Sequence, residues 1–312
     1  MRPKVSVGLP VYNGERYLEQ ALDSLLGQTF SDFELIVSDN ASTDATAAIC
    51  EARAAADPRI AYHRNPTNIG GVRNAQRTIE LAQGEYFRLA GCDDLCAPNH
   101  LERHVAYLDA HPEVDLCCSS VVEIDADGAE IRRVTFRQGS EGDRPQRLRD
   151  LASHSHGAEM IYGLIRTEAL RRTRPLGSYP GSDNPFLVEL SLRSRFHVID
   201  EPLFMRRYHS ANTQDDPRGK VIWYNPDLLA SGRPGLPYWT EAGDYLARIW
   251  HVPMPVGDRV RCHAQVAEWA FARRVQLAGD VFYAGKALLH SKQWRVDRYR
   301  RLAMNGGRLE DA

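Results

Sequence analysis

Apolar runs alternate with amphipathic stretches through the first 125 residues. Residues 5–11 and 33–38 are short runs rich in β-branched side chains, as in strands. Between them, the apolar positions from Tyr17 to Leu26 recur with the 3.6-residue period of a helix. Further strands are expected over residues 59–65, 85–90 and 114–124, each preceded by a helix-like stretch. This alternation predicts βαβ units, and therefore an α/β fold with a mostly parallel sheet.

The pattern loosens after residue 126. Residues 137–150 are polar and charged, and we expect them to form an exposed loop near the active face. We then expect a strand over 160–165, a short helix over 186–193 and a strand over 196–204. Pro, Gly and Trp are frequent from 215 to 255, and a long helical stretch follows. We therefore place a boundary near residue 215, before a mainly helical C-terminal region over 216–312.

Composition narrows the class of protein. The 39 basic and 41 acidic residues nearly cancel, which argues against a protein held to nucleic acid mainly by charge. The six cysteines lack the spacing of a disulfide framework or a zinc site, so a reduced, cytoplasmic setting is expected. No run approaches the roughly 18 apolar residues of a membrane span. The start of the chain is basic, but the apolar stretch behind it is broken at Pro10 and Asn13, which predicts a first strand and not a signal peptide.

Polar residues follow three of the predicted strands at their carboxyl ends, at 10–13, 39–40 and 93–94. Ligands of open parallel sheets bind beyond these ends, so the three segments are expected to meet in one crevice. Taken alone, Asp93 and Asp94 fit a turn or helix cap as well as they fit a metal site, and Tyr12 can be a cover of its strand end. A dehydrogenase is disfavoured, because the turn after the first strand lacks the glycine-rich phosphate motif.

Together these stretches resemble the inverting family 2 glycosyltransferases of the GT-A fold. The resemblance extends over about residues 4–210 and rests on four phrases, in this order: PVYNGE at 10–15, IVSDNASTD at 36–44, NIGG at 68–71 and AGCDD at 90–94. It implies a GT-A sheet flanked by helices. It also implies a catalytic domain over 1–215, with a nucleotide-sugar-binding part over 1–125 and an acceptor-side part over 126–215.

The resemblance also implies roles for residues of the first two phrases. Pro10, Tyr12 and Asp39 would line the pocket for the nucleotide base, and Glu15 would lie near the ribose or the edge of the base. An aromatic ring beside a carboxylate suits a base that stacks on the ring and donates its imide N–H to the carboxylate.

The later phrases would bind the diphosphate and a divalent cation, Mn²⁺ or Mg²⁺. By resemblance, Asp93 faces the ribose and Asp94 the metal, although Gly91 stands where the family's DxD motif has its first acid. Arg73, just after a glycine pair, would contact the diphosphate, and His209 would reach the metal or the diphosphate. Alternatively, Arg73 is a solvated helix residue and His209 is an ordinary surface histidine.

The resemblance further implies an acidic base in a loop before a helix, and residues 180–186 match that position. Pro185 suits the first helical position and Asn184 can then cap the helix, which leaves Asp183 available as the base. Glu189 is a second candidate for the base. Alternatively, Asp183 is a helix cap or a solvated loop residue and has no catalytic role. His154 and His156 can line an acceptor site, and the basic tail over 292–301 can contact anionic lipid or nucleic acid or form a solvated helix face.

We therefore expect a glycosyltransferase that moves a sugar from a nucleoside diphosphate donor to an acceptor hydroxyl with inversion of the anomeric centre. UDP is the nucleotide expected in the donor. The alternatives are a sugar nucleotidyltransferase, whose glycine-rich basic loop is missing after the first strand, and a non-catalytic nucleotide-sugar-binding protein. The expected partner is the nucleotide-sugar donor. No nucleic-acid partner and no membrane span are expected, whereas the acceptor and a homodimer stay open.

Overall fold

A mixed sheet forms the centre of the computed structural model, which describes residues 2–153, 159–209, 224 and 236–289. Within those residues the sheet has nine strands, in the order β3-β2-β1-β4-β8-β6-β9-β5, with β7 beside β6. The strands are β1 (Val5–Val11), β2 (Phe33–Asp39), β3 (Ile60–Arg64), β4 (Tyr86–Leu89), β5 (Leu95–Cys96), β6 (Val114–Ile124), β7 (Glu130–Val134), β8 (Leu164–Arg166) and β9 (Arg195–Arg207).

Helices cover the sheet and continue beyond it. They are α1 (Leu18–Leu26), α2 (Thr46–Ala56), α3 (Gly71–Leu81), α4 (His100–Ala110), α5 (Arg144–Ser153), α6 (Thr167–Arg172), α7 (Asp183–Arg193), α8 (Pro237–His251), α9 (Val256–Ala272) and α10 (Arg274–Leu288), with a 3₁₀ helix over Glu159–Tyr162. Among the described residues, no helix combines the length and apolarity that a bilayer crossing requires. All six cysteines are unpaired thiols.

The first four strands are parallel, as their sequence predicts. Val5 of β1 pairs with Phe33 of β2 on one side and with Tyr86 of β4 on the other. Val5, Val7 and Leu9 are completely buried, because helices cover both faces of the sheet. This explains why the strands are nearly continuous apolar runs rather than alternating ones.

Two of the remaining strands, β6 and β9, run in the same direction as the first four, whereas β5, β7 and β8 are antiparallel to their neighbours. β8 is antiparallel to both β4 and β6, so β6 runs in the same direction as β4, and β9 is parallel to β6. The carboxyl ends of β1, β2, β4 and β9 therefore lie at the same edge. Helix α7 ends just before the amino end of β9, so its own first residue, Asp183, points back toward that edge.

Three expectations for the second half of the chain are wrong in detail. The segment 137–150 contains the start of α5, and it lies at the amino end of β9, where the Phe196 N–H donates to the Gly139 carbonyl (3.0 Å), away from the carboxyl-end crevice. The expected strand over 160–165 is a 3₁₀ helix followed by the short β8. Helix α7 begins at Asp183 with Ser182 before it, so Asn184 is inside the helix and is not its cap.

The C-terminal helices pack directly on the sheet domain. Arg248 of α8 is almost completely buried and donates to Glu189 Oε2 of α7 (2.9 Å) and to the carbonyls of Arg174 and Pro175 (3.0 and 2.7 Å). The helical character expected for this region is confirmed in the described part. The boundary at residue 215 lies outside the described residues and stays a prediction.

Candidate functional site

Asp39 ends β2 and organises the loop that follows. Its Oδ1 accepts the Ser42 N–H (2.9 Å), and its Oδ2 accepts the Tyr62 hydroxyl (2.9 Å) and lies 3.4 Å from Arg64 Nε. Asp39 is 0% exposed. Val11 pairs with Asp39, so Tyr12, which is 45% exposed, directly follows the strand position paired with Asp39. The structure thus has an exposed aromatic residue and a buried carboxylate at the ends of two adjacent strands.

Two loops at this edge are joined by reciprocal hydrogen bonds. The Ser42 hydroxyl accepts the Asn13 N–H (3.0 Å), and Asn13 Oδ1 accepts the Thr43 N–H (2.8 Å). Glu15 Oε2 accepts the Ala45 N–H (2.9 Å) at the start of α2, where a carboxylate is favoured by the helix dipole. Asn13 has a left-handed backbone (φ 50°), which is uncommon outside glycine and concentrates at functional sites. Glu15 therefore lies at this edge as expected, but its carboxylate also holds the loop.

Buried amides fix the segment that leads into α3. Asn40 Oδ1 accepts the Ile69 N–H (2.9 Å), and Asn74 Nδ2 donates to the Ser38 carbonyl (2.7 Å). Helix α3 starts at Gly71, after β3, so its amino end lies at the carboxyl edge of the sheet. Arg73 is exposed in the first turn of this helix. An exposed guanidinium at a helix N-terminus suits an anionic ligand.

Arg207 fixes the Asp93–Asp94 segment after β4. Its backbone N–H donates to Asp94 Oδ1 and its Nε to the Asp93 carbonyl, both at 2.9 Å. The same guanidinium donates to the Ala126 carbonyl (3.1 Å) and to Gln20 Oε1 (2.9 Å). Since Arg207 is the last residue of β9, the carboxyl end of that strand locks the two aspartates in place.

His209 lies against Asp93. The His209 Nε2 is 3.0 Å from Asp93 Oδ2, and the imidazole ring packs against Tyr17 of the chain before α1, with ring centroids 4.6 Å apart. His209 Nδ1 is buried and has no hydrogen-bond partner among the described residues. The structure therefore pairs the expected metal-site histidine with Asp93, the residue that the resemblance had directed to the ribose.

The donor set suits a hard divalent cation. A Cβ placed on Gly91 would lie 2.4 Å from Asp94 Oδ2 and 3.1 Å from Asp93 Oδ1, so both carboxylates border the space left by this glycine. Burial and the neighbouring Asp93 charge raise the pKa of Asp94 to about 7. Two carboxylates held this close favour an intervening cation, and Mg²⁺ and Mn²⁺ prefer such oxygen donors.

A protein-only metal cage is not formed in the described ranges, where no group of three or more His, Cys, Asp and Glu side chains could hold a metal ion. Mg²⁺ commonly takes one or two carboxylates and completes its shell with phosphate oxygens and water. The Asp93–Asp94 pair fits that mode of binding, in which the substrate supplies the remaining ligands.

Asp183 is the first residue of α7, and burial alone raises the pKa of its carboxyl to about 6. Tyr162 connects it to the aspartate pair. The pKa of the Tyr162 phenol is raised by burial and then by the charges of Asp94, Asp183 and Asp93. All three carboxylates therefore lie within electrostatic reach of one hydroxyl group, which agrees with the position of the start of α7 at the carboxyl edge of the sheet.

Glu189, the second candidate for the base, is completely buried. Its Oε2 accepts from Arg248 Nη1 (2.9 Å), and its Oε1 lies 2.6 Å from His251 Nδ1 and 3.0 Å from Arg193 Nη2. Both oxygens are engaged in ion pairs away from solvent, so this carboxylate is not open to an acceptor hydroxyl.

The crevice thus gathers most of the residues expected from the sequence. Pro10, Tyr12, Glu15, Asp39, Arg73, Asp93, Asp94, Asp183 and His209 all lie at the carboxyl edge of the sheet. Sequence reasoning did not identify Tyr62, Tyr162 or Arg207 as residues of the site. His154, His156 and the basic tail over 292–301 lie outside the described residues.

A comparison with protein families matches the description "Glycosyl transferase family 2" to residues 6–174, more than half of the chain. Among curated relatives, abequosyltransferase RfbV of Salmonella typhimurium is 37% identical over 131 residues, which is 41% of this chain and 39% of the relative. EpsE of Bacillus subtilis, described as a glycosyltransferase, is 35% identical over 133 residues, 42% of this chain and 48% of the relative. The match thus spans less than half the length of these relatives.

Solved structures share the fold. TarS 1–349 of S. aureus in complex with UDP-GlcNAc has a TM-score of 0.66 at 18% identity, covering 97% of this chain and 90% of that one. The mannosyltransferase PcManGT of Pyrobaculum calidifontis, in complex with GDP-Man and Mn²⁺, has a TM-score of 0.52 at 18% identity, covering 98% and 86%. At this level of identity the likeness shows the fold, which is GT-A, as expected from the sequence.

Proposed function

The chain belongs to glycosyltransferase family 2, and from this membership and the crevice geometry we propose that it transfers a sugar from a nucleoside diphosphate donor to an acceptor hydroxyl, with inversion at the anomeric carbon. The observation that carries the proposal is the Asp93–Asp94 pair, which Arg207 and His209 hold at the end of β4. A nucleotide-sugar donor fits this place, because its diphosphate supplies the oxygen ligands that the pair lacks. TarS and PcManGT, which hold UDP-GlcNAc and GDP-Man, support this class of donor.

The base pocket favours a donor linked to UDP. Tyr12 offers an exposed ring for stacking, and the Asp39 carboxylate can accept an imide N–H, which uracil has and cytosine lacks. Asp39 is enclosed, with Arg64 3.4 Å from its Oδ2 and 48% of the Arg64 side chain exposed. Displacement of this exposed side chain would open Oδ2 to the base.

The diphosphate would lie between the aspartate pair and the start of α3. Asp94 and Asp93 would hold Mn²⁺ or Mg²⁺, with His209 beside them and Arg73 against the phosphates. The bound cation would stabilise the negative charge of the departing diphosphate as a Lewis acid.

Asp183 would act as the base. As the acceptor oxygen attacks the anomeric carbon and the bond to the diphosphate breaks, the hydroxyl proton passes to the Asp183 carboxylate. A pKa of about 6 suits this role, because the group is mostly ionised at neutral pH and is more basic than an exposed aspartate. Attack from the face opposite the leaving group accounts for inversion.

A thermal-shift panel tests the donor. UDP, GDP, dTDP and CDP are each added with and without Mn²⁺, and UDP with Mn²⁺ should raise the melting temperature most, since a ligand of the folded state stabilises it by mass action. No shift with any nucleoside diphosphate would contradict the proposal. Release of UDP from a UDP-sugar supports a transferase. Release of pyrophosphate from UTP and a sugar phosphate supports a nucleotidyltransferase instead. Binding of the UDP-sugar without turnover supports a non-catalytic protein.

A further inference from the structure

Helix α9 is apolar on two opposite faces. Its inner face buries Cys262, Val266 and Trp269 in the core. Its outer face carries a second row of apolar residues, spaced three or four positions apart and therefore aligned along the helix: Val256, Val260, Ala264, Ala267 and Phe271. All five are exposed, Val256 at 76%, Val260 at 63% and Phe271 at 70%. A helix that is apolar on both sides is normally covered on both.

We propose that this outer face, from Val256 to Phe271, pairs with the same face of a second copy of the chain. The row is self-complementary when it is read in opposite directions. In an antiparallel pair centred near Ala264, Val256 of one copy meets Phe271 of the other, and Val260 meets Ala267. Such a pairing is isologous, as a two-fold dimer requires, and it covers a row about 22 Å long.

The charges beside the row fit the same arrangement. Arg261 and Glu268 are both exposed and lie seven residues apart, so they flank the row on one side. In the antiparallel pair each Arg261 comes near Glu268 of the other copy. Arg261 also lies 2.6 Å from Asp143 and 2.5 Å from Asp258 of its own chain, so in the dimer it would be shared between these carboxylates and Glu268 of the other copy. In a parallel two-fold pair the two copies of this flank would lie on opposite sides of the interface, so Arg261 and Glu268 would not meet.

Side-chain size favours a protein partner over a lipid surface. Helices that lie in a membrane interface present Trp, Phe and Leu along their apolar face. Here the middle of the row is Ala264 and Ala267, with the large Val256 and Phe271 at its ends. Small residues at the centre let two helix backbones approach closely, whereas they add little to lipid binding.

Sedimentation velocity and light scattering of the full chain, over about 1–100 μM, test the proposal. The wild-type chain should be a dimer at the upper concentrations. Ala264→Glu should raise the dimer dissociation constant about 100-fold, because it brings two carboxylates into a dry interface. Ala272→Glu is the matched control, since Ala272 is exposed on the same helix but about 120° around it from the row.

Cysteine cross-linking tests the register independently. Ala264→Cys should form a covalent dimer under mild oxidation, and Ala272→Cys should not. A chain that stays monomeric, with no cross-link through residue 264, would overturn the proposal. The proposal would also be overturned if the wild-type chain is a monomer that binds phosphatidylglycerol vesicles and the Ala264→Glu variant does not bind them. The thermal shift with UDP and Mn²⁺ is read on the same samples, so failure of the dimer and failure of the proposed function are separate results.

Discussion

Replacing Asp183 with asparagine should strongly lower turnover and should stabilise the protein in a pH-dependent way. In the folded chain burial raises the pKa of this carboxyl from 3.8 to about 6. At a pH between these two pKa values, the Asp183 carboxyl is ionised in the unfolded chain but protonated in the folded chain. The folded state therefore loses stability as pH rises from about 4 to 6, and the full cost is present above pH 6.

The magnitude follows from the size of the shift. A rise of the Asp183 pKa from 3.8 to about 6 corresponds to about 3 kcal/mol, and the partial exposure of Asp183 reduces this to about 2 kcal/mol. The amide introduced by Asp183→Asn cannot ionise, so the stability of this variant relative to wild type should increase by about 2 kcal/mol between about pH 4 and pH 7.5. Loss of a general base should lower kcat about 10²- to 10⁴-fold while donor affinity is kept.

Urea unfolding at about pH 4, 5.5 and 7.5 measures the stability difference, and the exposed Asp32→Asn serves as the control. Wild-type kcat should rise about tenfold per pH unit below about pH 6 and level off above it. A stability difference that does not change with pH would refute the reasoning about the buried carboxyl. Full turnover by Asp183→Asn would remove this residue from the mechanism.

Asp94→Asn should remove the part of the UDP-induced thermal shift that depends on Mn²⁺; an unchanged response to Mn²⁺ would exclude Asp94 as a ligand. Tyr62→Phe removes the hydroxyl that donates to Asp39 (2.9 Å) and should weaken UDP binding about fivefold by calorimetry, whereas unchanged affinity would argue against Asp39 as the base reader. Glu189→Gln removes one of the two carboxylates that pair with the buried Arg248, the other being Asp244, and should cost about 3 kcal/mol in urea unfolding, and a cost near zero would contradict the buried pair.

The first half of the fold could be predicted because its strands are buried on both faces. A run such as 5–11 is continuously apolar, and the helix after it has a clear 3.6-residue period, so each strand end could be located to within a few residues. The polar residues at those ends, Asp39, Asp93 and Asp94, then became site candidates through the geometry of a parallel sheet alone.

Contacts between residues distant in sequence could not be predicted in this way. Arg207 lies 113 positions from Asp94, and nothing near it in the sequence shows that its N–H holds that carboxylate. Helix α5 was missed because Arg147, which looks like a surface residue, is buried and donates to the carbonyls of Ser191 (2.8 Å) and Gly142 (2.7 Å). A buried arginine satisfied by main-chain oxygens has no signature in a pattern of polar and apolar positions.

The ion pair between Glu189 and Arg248 limits how this chain can be divided. A protein ended at residue 215 would expose apolar surface of α7 and remove Arg248, so that Glu189 would keep only Arg193 as a guanidinium partner, at a cost of about 3 kcal/mol. That is a large share of the roughly 5–15 kcal/mol that holds a typical domain together. In deletion series, and in chimeras that exchange acceptor-side segments, α7 and α8 should therefore be kept or replaced together and taken from the same parent protein.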